Sequence, residues 1–377
     1  MLPLLEAFRK DLYHCADCNY CVDAVWAERG IEHVCPTMQS HSPVTSYAGR
    51  GYIAAARAWI EGTPLDLAVL GDRVFTCTTC SHCETVCPIG LRPTQVGRAL
   101  RGELWARDTV PAPARALHEA MRRDGNPHGV ARAARTAWQA GWSPHDAQAE
   151  KVLYLPGCAA ATAQPAEARA AVALIQAAGF VVETLGEQDT CCGAPLFELG
   201  LETEAALMRE ALAAKVAARS EIVISGLECA CSWQRRLHGE VPRSVAEWLV
   251  VQIHTGRLQL VARAQAPREI HLLDSCQTRA AGPAQALHKL CELLEVKVAP
   301  AITSARHVVC CGAAGGMPQM APESAVRMAT ARLHGQATSA VFVSADPRCV
   351  AHLRRATPNA RIFGIAEFLH TFFTDAP

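Results

Sequence analysis

Cys77-Thr-Thr-Cys80-Ser-His-Cys83-Glu-Thr-Val-Cys87-Pro88 has the spacing C-x2-C-x2-C-x3-C-P. Three thiolates so spaced can wrap three corners of one iron–sulfur cubane, while the fourth, before proline, turns away to ligate the other cluster of a pair. That geometry requires a second run. Cys15-Ala-Asp-Cys18-Asn-Tyr-Cys21 supplies its triplet and Cys35–Pro36 its outlying cysteine, with thirteen residues between Cys21 and Cys35 in place of three. The expected ligation is therefore crossed: Cys15, Cys18, Cys21 and Cys87 on one [4Fe-4S] cluster, and Cys77, Cys80, Cys83 and Cys35 on the other. Structural zinc and buried free thiols are the competing readings. Zinc sites usually pair two separated C-x2-C knuckles and close at four ligands, a pattern that two triple runs with trailing Cys-Pro fit poorly.

Adjacent cysteines form the second signal, at Cys191–Cys192–Gly193 and Cys310–Cys311–Gly312. Such a pair does not serve one regular cubane corner easily, but it can bridge or bind the irons of a less regular cluster, with glycine allowing close backbone approach. Each triplet belongs to a tandem repeat. Lys151 to Cys158 (KVLYLPGC) matches Glu269 to Cys276 (EIHLLDSC) at an offset of 118 residues. Thirty-two or 33 residues then precede each triplet, and 36 or 37 more lead to Cys229 or Cys349. Ala246–Glu247–Trp248–Leu249 and Ala366–Glu367–Phe368–Leu369 close the two copies. Landmarks in one register over more than a hundred residues mark a duplication. The candidate cofactor ligands are Cys158, Cys191, Cys192 and Cys229 in copy one and Cys276, Cys310, Cys311 and Cys349 in copy two, with Cys231 as an extra. Buried cysteine as a small apolar residue is the competing reading here.

The elements that must position these residues follow from periodicity. In each copy short β-branched runs alternate with Ala/Leu-rich helical stretches, with strands expected at 152–155, 181–185, 222–225, 270–273, 296–298 and 341–344. Strand–helix–strand alternation argues for α/β units with largely parallel sheets. Cys158, Cys229, Cys276 and Cys349 then fall at or just past strand ends, where the loops of such sheets converge. A helix is expected after each triplet. The first part of the chain has few strand signals and reads as mainly helical, and 112–142 carries an Ala/Arg-rich helical pattern punctuated by Pro and Gly. The expected division is a helical two-cluster ferredoxin-like domain (1–105), a helical connector (106–150), copy one (151–262) and copy two (263–377), α/β overall.

Composition limits the function classes. Half of the 377 residues are apolar, 19% are charged, and Lys+Arg balances Asp+Glu at 36 each, so the composition is globular and offers no basic excess for nucleic acid. Eighteen cysteines with no secretory pattern at the N-terminus read as metal ligands in a reducing compartment rather than as disulfides. No apolar stretch approaches the roughly 18 residues of a membrane span. A cytoplasmic, metal-binding oxidoreductase component is the expectation.

Several residues have plainer readings. His82 is expected to be an exposed histidine rather than one that tunes a cluster. Glu247 and Glu367 are accounted for as helix caps, and Cys291 as core. Gly312-Ala-Ala-Gly315-Gly316 lacks the Lys-Ser/Thr of a phosphate loop. With no nucleotide or flavin fingerprint on the chain, a flavin is expected to belong to another chain.

With paired cluster runs followed by two Cys-Cys-Gly domains, the chain resembles the iron–sulfur subunit of glycolate oxidase and the related D-subunit of heterodisulfide reductase. The single cysteine in Ala345-Asp-Pro-Arg-Cys349-Val-Ala-His-Leu and the Gly49–Arg50–Gly51 segment bring it nearer to the glycolate oxidase subunit. The resemblance implies two [4Fe-4S] clusters and electrons accepted from an FAD-containing 2-hydroxyacid dehydrogenase. They pass onward to a quinone or other carrier, in a complex that is cytoplasmic or peripheral on the inner membrane. It also implies that Cys-Cys-Gly domains can bind one or two further noncubane [4Fe-4S] clusters, the site of disulfide chemistry in heterodisulfide reductases. At Glu228-Cys229-Ala-Cys231 and Asp346-Pro-Arg-Cys349 the C-x2-C of that site is not intact. A heterodisulfide-reductase-like thiol/disulfide enzyme and a cluster-bearing scaffold are the alternatives.

Overall fold

The computed structural model describes residues 4–23, 33–142, 149–217, 219–234, 242–278, 282–301 and 307–375. Most of the insert between Cys21 and Cys35, and part of the turn after Trp142, lie outside the described residues. The chain packs into two compact units. One comprises Met1–Met121, Pro195–Ala206 and Ile302–His334; the other comprises Arg122–Ala194, Leu207–Ala301 and Gly335–Pro377. The stretch after the first Cys-Cys-Gly triplet and the stretch containing the second are thus grouped with the N-terminal helices.

The first unit is helical, and no strand occurs among the described residues before Lys151. Its helices start where the sequence supplies a cap. Asp66 accepts from the amides of Ala68 and Val69 to open Leu67–Phe75, and proline occupies the first turn of Pro93–Ala106. The helix Pro93–Ala106 packs on Gly49–Ile60 and on Leu67–Phe75, burying Val96 and Leu100 with Tyr52, Ile53 and Val74.

The second unit holds the duplicated α/β elements. In copy one the strands are β1 (Lys151–Leu155), β2 (Val181–Glu183), β3 (Ile222–Ile224) and β4 (Arg243–Ser244). After β5 (Leu260–Ala262), copy two supplies β6 (Glu269–Leu272), β7 (Lys297–Val298), β8 (Val341–Ser344) and β9 (Arg361–Gly364), and β10 (Phe373–Asp375) ends it. The sheets have matching, wholly parallel orders, β2-β1-β3-β4 and β7-β6-β8-β9, as the β/α alternation predicts. β5 and β10 pair antiparallel. β4, β5, β9 and β10 are the strands that periodicity misses, being two to four residues long with at most two described side chains buried in each. The helical pattern at 112–142 is helical only as far as Asp124, and a 3-10 helix follows at Arg132–Gln139.

One apolar core serves both sheets. Val152, Tyr154 and Val223 share it with Ile270, Leu272 and Val343, and the helices around them are exchanged between copies. Val245–His254 of copy one packs on Gly282–Leu293 of copy two, while Ile365–Phe372 of copy two packs on Pro165–Ala177 of copy one. The exchange extends to the caps. In copy one Ser244 accepts from the Glu247 amide, and Glu247 closes the capping box on the Ser244 amide. Copy two has Gly364 in place of that serine. There the carboxylate of Glu167, from the other copy, accepts from the amides of Ala366 (3.1 Å) and Glu367 (2.8 Å). Glu367 itself is not a cap, because its carboxylate pairs with Arg354 at 2.8 Å.

Burial pushes the Glu167 carboxyl up to about 7 from an ordinary 4.5, against the two amides that favour its charged form. Its folded-state pKa is raised, so its contribution to stability is complete below about pH 4.5 and is lost as pH rises through about 7. Glu167→Gln should flatten this dependence. Urea unfolding of anaerobically prepared protein at pH 5 and pH 8 should show wild type losing about 3 kcal/mol more than the variant between the two conditions. Equal losses would refute the assignment.

Candidate metal centres

All eight cysteines of the N-terminal runs lie in the first unit and gather in two cavities. One, of about 380 Å³, is lined by Cys15, Cys18, Cys21 and Cys87 with Arg50, Ile53 and Pro93. The other, of about 290 Å³, is lined by Cys35, Cys77, Cys80 and Cys83 with Gly49, Tyr52, His82 and Thr94. Each triplet therefore shares a cavity with the outlying cysteine of the other run.

The two triplets reach their cavities through the same backbone device. Asp17 and Thr79, two residues past the first cysteine, have φ of 51° and 53°; Asn19 and Ser81, just past the second, have 63° and 56°. Left-handed conformation at non-glycine residues is unfavourable by about 1 kcal/mol or more each, and four matched cases mark a conformation imposed by the site. Backbone amides are also aimed at sulfur, one within a turn and one after Cys87. The Thr79 N–H donates to Cys77 Sγ at 3.4 Å, and the Leu91 N–H to Cys87 Sγ at 3.3 Å. Helix Gly49–Ile60 presents Arg50 and Ile53 to one cavity and Gly49 and Tyr52 to the other, so both are set about a single helix. Gly49 has to be glycine, since a Cβ there would lie 2.8 Å from Pro93 Cβ and 3.0 Å from Cys83 Cβ.

Burial pushes the Cys21 thiol up to about 11 and Cys35 up to about 12, and it raises Cys77 and Cys83 as well. Without a cation these groups stay neutral; metal ions supply the positive charge that makes such thiols ionise, releasing protons as they bind. Cavities lined by four thiols each, with inward amides, fit [4Fe-4S] clusters. Among the described residues no three His, Cys, Asp or Glu groups are arranged to hold a single metal ion. A cluster carries its ligands on separate irons, so its thiolates stand further apart than those round one ion.

His82 is buried, not exposed, with Nδ1 3.1 Å from the Val34 carbonyl oxygen and its ring 6.0 Å from that of His307.

In the second unit copy one brings Cys158, Cys191, Cys192 and Cys229 together at the C-terminal ends of β1 and β3 and at the triplet loop. The thiols form a hydrogen-bonded chain. Cys191 lies between Cys158 and Cys192, and Cys192 between Cys191 and Cys229, each within hydrogen-bonding reach of both neighbours. These bonds hold Cys192 well below the usual thiol range, while they raise Cys191 and Cys229. Cys158 is also lowered, first by Cys191 and then by the guanidinium of Arg135. Arg135, 2% exposed, donates to Cys158 Sγ at 3.2 Å and to Asp189 at 2.7 Å. It comes from the 3-10 helix before β1, and the sequence gives no sign of it. Cys231 donates to the Gln277 carbonyl at 3.6 Å.

The four cysteines of copy two are divided: Cys276 and Cys349 belong to the second unit and Cys310 and Cys311 to the first. Cys349 Sγ donates to Asp346 at 3.6 Å, and Cys310 Sγ accepts from the Gly312 amide at 3.3 Å. A helix does follow the first triplet directly (Ala194–Glu198), but in copy two it starts only at Met317. Cys291 lies in the shared core, as expected.

Comparison with known proteins separates the N-terminal cysteines from those of the two copies, and it keeps the four cysteines of copy two in one domain. Residues 11–91 match the 4Fe-4S dicluster domain, and 152–235 and 270–354 each match the Cysteine-rich domain. The D-subunit of the dihydromethanophenazine:CoB–CoM heterodisulfide reductase of Methanosarcina barkeri is 26% identical over 377 residues, which cover 91% of this chain and 88% of that protein. Its counterpart in Methanosarcina mazei is 26% identical over 322 residues, 80% and 77% of the two chains. EtfAB:quinone oxidoreductase of Syntrophomonas wolfei is 26% identical over 226 residues, but these span only 32% of that protein. The chain thus joins a 4Fe-4S dicluster domain to two Cysteine-rich domains, and over most of its length this iron–sulfur electron-transfer protein is related to the D-subunit of heterodisulfide reductase.

Proposed function

We propose that the chain passes electrons from an FAD-containing 2-hydroxyacid dehydrogenase to a quinone or other carrier, with Cys15, Cys18, Cys21 and Cys87 holding one [4Fe-4S] cluster and Cys77, Cys80, Cys83 and Cys35 the other. The observation that supports the ligation best is the exchange of outlying cysteines between the two cavities. When bound, each cluster takes and gives one electron at a time. The protein's own residues set the route. Cys18, Tyr20 and Ile89 are exposed at the rim of the first cavity, which suits electron exchange with a partner there. The second cavity is lined by the buried residues Thr37, Tyr52, Cys80 and His82, which keep water from its cluster. Access to a membrane quinone comes through a partner protein; among the described residues no helix is long and apolar enough to cross a membrane.

A second reading, thiol/disulfide chemistry at a noncubane cluster, is favoured by the four converging thiols of copy one and by Arg135, whose charge suits an anionic centre. The relatives named as heterodisulfide reductase subunits support the same reading. Native complex isolated without oxygen separates the two. A co-purifying flavoprotein, with cluster reduction at turnover rate on adding a 2-hydroxyacid, supports the first. Reduction that needs no flavoprotein, with a cluster-bound radical after thiol is added under oxidation, supports the second.

Two predictions concern metal content. If the ligation is crossed, Cys87→Ser and Cys15→Ser each lose one cluster, about four irons, and the double variant loses no more; Cys87→Ser combined with Cys77→Ser loses about eight. Iron analysis giving the reverse pattern would show that each run holds its own cluster. If copy one is also loaded, wild type carries more than about eight irons, and Cys191→Ser returns it to about eight without changing the signals of the N-terminal pair.

A further inference from the structure

Arg101 is wholly buried in the first unit, on the helix Pro93–Ala106. Its five N–H groups make five hydrogen bonds, all to backbone carbonyls. Nε and Nη2 donate to Val74 at 2.9 and 2.6 Å, Nη2 to Cys77 at 2.6 Å, and Nη1 to Glu198 at 2.5 Å and Gly315 at 3.1 Å. The guanidinium also stands over the Phe75 ring, 5.1 Å from its centroid. Among the described residues no carboxylate lies within ion-pairing distance of it. Carbonyl dipoles satisfy the donors but leave the unit charge in place, and an unmatched charge so far from water is held at a high cost in desolvation. The ionisable side chains acting on it are, from the strongest, Cys77, Tyr52 and Glu198, and the first two line the second cavity.

Among the described residues the other cavity has no wholly buried arginine beside it: Arg57, whose charge acts on Cys15, is only half-buried. The arginine lining that cavity, Arg50, is 37% exposed, donates to Asn19 Oδ1 at 2.8 Å and is paired with Asp17 at 3.4 Å, so water and a carboxylate both weaken its field.

Taking up one electron adds one negative charge to a thiolate-bound cluster that is already anionic, and burial disfavours that step. A fixed buried cation on the ligand side favours it. We propose that Arg101 is a positioning and charge-compensating residue that raises the reduction potential of the cluster held by Cys35, Cys77, Cys80 and Cys83, poising it apart from the cluster at Cys15, Cys18, Cys21 and Cys87. This rests on the ligation proposed above. The same side chain fixes the geometry of the ligand loop, for it grips the Cys77 carbonyl while Gly315, whose own carbonyl it binds, packs on Cys77 and Thr78 so closely that a Cβ at Gly315 would collide with both.

Potentiometric titration of the full chain, loaded without oxygen and followed by electron paramagnetic resonance, tests the proposal. Cys77→Ser identifies the signal that belongs to this cluster by abolishing it. Arg101→Met should move that signal to lower potential and leave the other in place, while Arg101→Lys, which keeps the charge but not the clamp, should stay near wild type. Glu198→Gln, which strips a neighbouring negative charge, should shift the same signal upward and gives an independent reading where Arg101→Met does not load. An unmoved potential in Arg101→Met or in Glu198→Gln overturns the proposal, as does a drop in Arg101→Lys equal to that in Arg101→Met, which would assign the effect to the clamp. Failure of the ligation reading looks different: Cys77→Ser would then leave both signals intact.

Discussion

A thiol buried in protein stays protonated unless positive charge is placed beside it, and this constraint organises the molecule. Burial raises Cys21, Cys35, Cys77 and Cys83. Left empty, their cavities would be pockets of neutral sulfur walled by strained turns. Iron held by these thiols would resolve the conflict in the first unit, with the amides directed at Cys77 and Cys87 adding to it. In copy one the same conflict is met within the protein, by thiol-to-thiol hydrogen bonds and by Arg135 against Cys158. A buried guanidinium thus contacts a cysteine in both units, at the Cys77 carbonyl in one and at the Cys158 sulfur in the other.

What could be read from the sequence depended on whether the signal was local. The spacing of Cys15, Cys18 and Cys21, and of Cys77, Cys80 and Cys83, is a local pattern with one geometric meaning, and both triplets adopt matching turns. The register of the duplication was equally plain, because KVLYLPGC and EIHLLDSC keep their strands and their cysteines in step. The parallel sheets followed from that alternation.

Long-range partners were not legible. Arg101 and Arg135 are single arginines in Ala/Arg-rich helical stretches, and nothing in their neighbourhood separates them from exposed arginines such as Arg107 or Arg132. His82 looked like a surface residue because its burial comes from Val34, 48 positions away. Glu367 shares a register with Glu247 yet does different work, since capping in copy two is supplied by Glu167, 199 positions distant from Ala366. A pattern search compares a residue with its neighbours in sequence, and these contacts are decided by neighbours in space.

The exchange of caps and helices between the copies has a consequence for how the chain can vary. Each copy lacks a piece of its own covering and borrows it from the other, as the protomers of a symmetric dimer do. Fusion into one polypeptide holds the borrower and lender at a fixed ratio and lets the two sites drift apart in sequence. Cys231 and the solitary Cys349 are marks of that divergence. Neither copy is then free to be lost or shuffled alone, so a half that gives up its metal still has to be kept as scaffolding for the half that retains it.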